Sequence, residues 1–275
     1  MMTGRLDYLA TPNLERPLMV VGWKGEAGTV GERVTDYLAE TLEMRDLADI
    51  DPVGYFSLSS VEVSDDLVSF PFSRFKYSEK SNLITFYSDT PAHDIPEFLS
   101  LVLELAARHS VCQIVTVNAL PVMASHNTPQ PLIANLSTPL LKEWLSGDGI
   151  NTDIDFESPP GPRPPLSSYL LWSARQKGIE AVSLWVPVPY YLSSFSDEVG
   201  IRRALAFLRE KLAVPLALEG ALAAEQRLRE TLGELRRDSA DVDKALTMLE
   251  SSLSLTEYEA GQLAAAVREK MGKAG

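Results

Sequence analysis

The chain is poor in the residues that build covalent, metal and membrane-spanning devices. Of its 275 residues one is cysteine, Cys112, and three are histidine. A lone cysteine excludes an intrachain disulfide, and within the apolar run VCQIVTV it reads as a small packed hydrophobe. His93, His109 and His126 are scattered, without i, i+4 or C-x-x-C spacing, so no metal site is predicted and no cofactor is named. No apolar run approaches the roughly 20 residues of a helical membrane span. The longest, around Val111 to Val117 and Ala181 to Val188, have the length of strands. Basic residues are outnumbered, 25 Lys and Arg against 38 Asp and Glu, and the resulting charge of −13 repels phosphate backbones and anionic headgroups. Nucleic acid and membrane surfaces are therefore not expected partners. The opening residues, MMTGRLDYLATPNLERP, lack a basic segment followed by an apolar run, which predicts a cytoplasmic chain.

What is present is an ordinary globular composition, 45% hydrophobic, with α/β alternation. LMVVGW, Leu18 to Trp23, is a buried strand by length and content. A glycine-rich turn follows, and then Val30, Val34, Tyr37, Leu38 and Leu42 fall on one helical face. From Val53 to Asp89 the segments GYFSLSS, VEVSDDLVSF, RFKYS and NLITFYS read as antiparallel strands, with a hairpin connection at Glu79 to Asn82. Asp94 is placed as the N-cap of a helix IPEFLSLVLELAARH that leads to the strand VCQIVTVNAL. A helix near Pro139 to Leu145, an extended INTDIDF and a stiff loop PPGPRPP at 159 to 165 come next. Helix SSYLLWSARQKG, closed by Gly178, precedes strand EAVSLWVPVPYY, whose Pro187 and Pro189 put its end at an edge or loop.

The remainder is helical. It contains a break at Pro215, a cap at Ser239 and a T-x-x-E capping box at Thr256 and Glu259. Val242, Leu246, Leu249 and Leu253 keep the 4-3-4 spacing of a coiled-coil seam. They are the expected interaction residues of a C-terminal helical hairpin or small bundle. The division is an α/β domain over 1–215 and a helical subdomain over 216–275.

Candidate chemistry centres on Gly22-Trp23-Lys24-Gly25-Glu26-Ala27-Gly28, between the first strand and its helix, where backbone N–H groups and the helix dipole favour an anion. The pattern is neither G-x-G-x-x-G nor a P-loop, and Glu26 would oppose a phosphate, so a structural turn or interaction loop is the competing reading. His126 and Thr128 lie in the loop ASHNTPQ after a buried strand, the place where open α/β sheets form clefts. A hydrogen bond to the loop backbone competes there with acid–base chemistry. No G-x-S-x-G elbow supports a hydrolase triad, and the carboxylate pairs Asp65-Asp66 and Asp153/Asp155 read as solvated. Gly25, Glu26, Gly28, His126 and Thr128 are thus the candidate ligand-binding residues, and no catalytic residue is assigned.

The order of segments resembles the PAC2 family of proteasome-assembly-chaperone-like proteins. MVVGWKGEAGTVGERVTDYL is similar to its first strand, turn and helix. NALPVMASHNTPQP is similar to a family loop in which Pro121, Met123, His126, Thr128, Pro129 and Pro131 find counterparts, while Gln130 stands near a usual arginine. The segment from PPGPRPP to VPVPYYL is similar to the family's late loop, helix and strand. The resemblance implies a three-layer α/β core of phosphorylase/hydrolase-like architecture, assembled into homo-oligomers, with no established reaction. It also implies a non-enzymatic assembly or chaperone-like role through a protein partner. The closing residues EKMGKAG lack the hydrophobic-tyrosine-x tail of some archaeal members, so tail-dependent proteasome docking is not expected. The alternative is a small-molecule-processing enzyme, ligase- or hydrolase-like, with a cleft near Gly25 to Gly28 and His126.

Overall fold

The structure, a computed structural model, describes residues 5–64, 66–145, 149–152 and 166–272. The apolar runs form the middle of an eight-stranded sheet. Its strands are β1 (Leu6–Tyr8), β2 (Leu18–Trp23), β3 (Arg45–Ile50), β6 (Ser73–Ser78), β7 (Leu83–Ser88), β8 (Gln113–Val122), β9 (Ile133–Leu136) and β10 (Glu180–Pro189). A separate hairpin pairs β4 (Glu62–Ser64) with β5 (Leu67–Ser69). The sheet order is β1-β3-β6-β7-β2-β8-β10-β9. β7, β2, β8 and β10 run parallel, and antiparallel strands complete both flanks. The three runs read as buried strands are therefore adjacent in one sheet, with β10 one strand from its edge.

Their period of two divides the core. Val20, Val115, Val117, Val182 and Leu184 face one side, with α1 (Val30–Thr41), α3 (Pro139–Leu145) and α5 (Glu198–Lys211). Met19, Val21, Trp23 and Ile114 face the other, with α2 (Ile95–Arg108) and α4 (Leu166–Gln176). Helix, sheet and helix make three layers. The tail forms α6 (Glu219–Asp238), α7 (Ala240–Glu250) and α8 (Glu257–Gly272), which pack on one another, α6 on α5 and α8 on the turn after β10. Leu228, Leu232, Val242, Leu246, Leu263 and Val267 belong to the same hydrophobic cluster as α1 and α5.

Close approach explains the first glycines. A Cβ on Gly22 would lie 2.5 Å from the carbonyl oxygen of Gly31, so α1 seats directly on β2 only because both positions lack side chains. The late prolines of β10 are equally placed. Among the described residues β9 pairs with β10 from Val182 to Trp185, so Pro187 and Pro189 lie beyond that pairing.

Several expectations are corrected. GYFSLSS forms a turn and a short 3-10 segment, with Gly54 at φ 91°, and Tyr55 and Phe56 pack edge-on against Phe98 without pairing as a strand. Asp94 occupies the N-cap position at φ 45°, but its side chain caps nothing. Strands β1, β3 and β9 carry no sequence expectation. In β3 the charged Arg45, Asp46 and Asp49, with a bulge between Asp46 and Ala48, hide the alternation. Asp65, Asp153, Asp155 and the PPGPRPP loop lie outside the described residues.

Candidate functional site

β7 and β8 flank β2 while α1 and α2 lie on opposite faces, so the chain reverses direction across the sheet at β2. A crevice is expected beyond the carboxyl ends of such strands. A cleft of about 250 Å³ opens there. Gly22 pairs with Val117 and Trp185 with Asn118, which sets Trp23, Asn118 and Trp185 level across three adjacent strands. These three, together with Lys24, Gly25 and Glu26 of the turn, Pro91, Ile95, Leu166 and Ser167, line the cleft.

Its floor is a closed polar network. Trp23 Nε1 donates to Ser167 Oγ at 3.0 Å, and Ser167 Oγ donates to Asn118 Oδ1. Asn118 Nδ2 donates to Ser183 Oγ at 3.0 Å and to the Leu184 carbonyl at 3.1 Å, while Thr116 Oγ1 donates to Ser183 Oγ at 3.0 Å. Polar groups at this depth hold one geometry when their bonds are satisfied. The indole N–H of Trp185 is buried and has no hydrogen-bond partner among the described residues.

Glu26 leans over this floor. One carboxylate oxygen accepts the Ala119 backbone N–H at 3.1 Å. Burial pushes its acid up to about 8, a rise that the Ala119 N–H only partly offsets. Lys24 is the other charged side chain among the described lining residues, and its Nζ lies 3.2 Å from Asp89 and 3.5 Å from Glu62.

The remaining candidate residues sit elsewhere. Gly28 faces away from the cleft: its N–H donates to the Ser193 carbonyl at 3.0 Å, and an added Cβ would meet Val188 and Asp197. Burial pushes the Asp197 carboxyl up to about 6, against the backbone N–H groups of Gly200 and Val199. His126 is buried under Tyr191, and neither it nor Thr128 lines the cleft. Burial holds the His126 imidazole down at about 4, helped by Arg229 and Arg236 and opposed by Glu250. Its loop is latched to the tail. Asn127 Nδ2 donates to Glu250 at 2.8 Å, Arg229 Nη1 donates to Asn127 Oδ1 at 3.0 Å, and Arg236 Nη1 donates to Glu250 at 2.8 Å. Thr128 is exposed, its N–H donating to the Ser125 carbonyl at 3.1 Å.

Of the seam residues, Val242, Leu246 and Leu249 are buried in the chain's own core, and Leu253 is exposed. The surface that the sequence did not single out is the β4–β5 hairpin. There Val63, Leu67 and Val68 are 68%, 74% and 72% exposed, with Val61 beside them. Among the described residues no cluster of His, Cys, Asp and Glu is arranged to hold a metal ion, and no helix is long and apolar enough to cross a membrane.

Solved structures share this fold. A Mycobacterium tuberculosis protein of unknown function, Rv2714, superimposes with a TM-score of 0.78 at 18% identity over 98% of this chain and 97% of its own. The M. tuberculosis proteasome-assembly chaperone homologue Rv2125 gives 0.70 at 16% identity, over 84% and 99%. PbaB of Pyrococcus furiosus, an archaeal proteasome activator, gives 0.69 at 18%, over 86% and 99%. No curated protein matches the chain by sequence. The model of the PAC2 family matches residues 19–236, from the strand that floors the cleft to the helix that latches His126, and the chain belongs to the PAC2 family.

Proposed function

We propose that the chain is an assembly or chaperone-like scaffold that acts through protein–protein contact. The observation that carries this reading is the β4–β5 hairpin. It is excluded from the main sheet and presents Val61, Val63, Leu67 and Val68 to solvent. A two-stranded hairpin is marginal by itself, and burying such side chains in an interface returns about 25 cal/mol for each Å² of apolar surface covered. Membership of the PAC2 family supports the reading, as do fold relatives described as a proteasome-assembly chaperone homologue and a proteasome activator. The chain works in the cytoplasm as a homo-oligomer, and its helical subdomain from residue 216 adds Leu222, Leu253 and Tyr258 as exposed apolar side chains. Its acidity keeps it from nucleic acid and lipid surfaces.

The test uses the double variant Val63→Asp, Val68→Asp, which changes exposed side chains and should leave the fold intact. Cross-linking in the native host followed by mass spectrometry, with light scattering of the purified protein, should show loss of a partner or of self-association at an unchanged melting temperature. Retention of the same cross-links and the same mass would overturn the reading.

A further inference from the structure

The cleft over β2, β8 and β10 has a chemistry that a surface scaffold does not call for. Glu26 is the one acid among the described lining residues, and no described basic side chain pairs with it. One oxygen is fixed by the Ala119 N–H, and the carboxyl belongs to the cleft lining. Two indoles, Trp23 and Trp185, lie on either side of Asn118 in the same row. Lys24, the other charged residue of the described lining, is paired at the rim with Asp89 and Glu62, and two carboxylates against one ammonium leave the mouth negative. Ile95, Pro91 and Leu166 supply apolar walls.

We propose that this cleft is a binding site for a small organic ammonium group. The ammonium pairs with Glu26 and lies against indole faces, which attract cations more strongly than any other aromatic side chain. A cleft of about 250 Å³ takes a head group of a few heavy atoms, and the acidic chain attracts cations over distance. The same group can be offered by a free amine or by a lysine side chain of another protein, and the two are separable.

Binding must be linked to the proton on Glu26. An ammonium stabilises the carboxylate, so the proton leaves as the cation enters. With the acid at about 8, affinity should rise as pH rises towards that value. Between about pH 6 and pH 8 the ionised fraction of the free site grows roughly fiftyfold, and apparent affinity with it.

The experiment is a titration with ethanolamine, read from the indole N–H signals of the four tryptophans in a ¹⁵N correlation spectrum. The Trp23 and Trp185 signals should move at millimolar ligand while those of Trp144 and Trp172 stay, and the midpoint should fall as pH rises. Propanol and acetate should move none of them. Glu26→Gln, which keeps the shape of the uncharged acid, should abolish the response and its pH dependence. Trp185→Phe should weaken ethanolamine and propylamine alike, because both lose an indole face. N-acetyl-lysine methylamide binding more tightly than ethanolamine assigns the site to a partner's lysine, and weaker binding assigns it to a free amine. Silence at tens of millimolar ethanolamine, an equal response to acetate, or an unchanged response in Glu26→Gln would overturn the proposal.

Discussion

His126 and Tyr191 are joined twice: the Tyr191 hydroxyl accepts the His126 backbone N–H at 2.9 Å and meets the ring Nδ1 at 2.8 Å. Both residues are buried, so the hydroxyl serves two groups that water cannot reach. Tyr191→Phe leaves both unsatisfied and is expected to destabilise the fold by about 1–3 kcal/mol. Urea unfolding measures it. A midpoint equal to that of the parent would show that the pair holds nothing.

The same burial sets an acid limb. His126 is held at about 4 when folded, against an ordinary 6.5, so the unfolded chain takes up the proton first. Stability from this residue is complete above about pH 6.5 and falls as pH drops towards 4, by about 3 kcal/mol in all. His126→Gln should flatten that slope. Thermal melts of both proteins across the window check it.

Glu26 works in the opposite direction. Its acid is raised from 4.5 to about 8, so its contribution is full below about 4.5 and is lost as pH rises through 8. Glu26→Gln should match the parent at low pH and exceed it at pH 8 by on the order of 3 kcal/mol, after allowance for its opening to the cleft. Chemical denaturation at both ends of that range is the measurement, and a constant difference between the two proteins would contradict the assignment.

The parts of this structure that could be read from the chain are those whose causes are local. The runs at Leu18, Val111 and Ala181 announce buried strands by content alone. Thr256 and Glu259 form their reciprocal cap, with the Thr256 N–H donating to Glu259 at 3.0 Å and the Glu259 N–H donating to Thr256 at 3.3 Å. Ser239 likewise accepts the Val242 N–H. β3 was illegible because Asp49 and Asp46 look like loop residues until Arg74 of β6, 2.9 Å from Asp49, arrives to pair with them. The site divides in the same way. The turn carrying Gly25 and Glu26 follows from strand, glycine and helix in sequence. Its enclosure depends on Ala119, and the row Trp23, Asn118, Trp185 depends on strand order. His126 stood in a loop of the expected kind, but α6 and α7 close over that loop with Arg229 and Glu250.

The contrast between two glycines gives a stability test of that packing. Gly22→Ala places a methyl 2.5 Å from the Gly31 carbonyl oxygen, between backbones that cannot part without moving α1, and is expected to cost about 2–4 kcal/mol. Gly233 lies inside α6, with its nearest neighbour at 3.8 Å, the end of the Arg237 side chain. Gly233→Ala should stabilise by about 0.5–1 kcal/mol. Paired unfolding curves decide whether α1 rests on β2 as described.

The last expectation concerns the seam Val242, Leu246, Leu249 and Leu253, whose spacing alone says nothing about which partner it meets. Leu246 is 2% exposed within the main cluster, whereas Leu253 is 56% exposed just beyond α7. Leu246→Ala should therefore cost about 2–5 kcal/mol, the range for a truncated core leucine, at any protein concentration. Leu253→Asp should leave the monomer's stability within about 0.5 kcal/mol, as exposed positions do. The two variants separate packing from assembly more cleanly than removal of residues 216–272 would, because that deletion strips Leu228, Leu232, Leu263 and Val267 from the core as well. Light scattering over a concentration series, beside urea unfolding, reads both effects. If the tail holds copies together, Leu253→Asp, combined with Tyr258→Asp, lowers the mass while the unfolding midpoint of the monomer stays. If the mass does not move, the exposed side of the tail is not where copies of this chain meet.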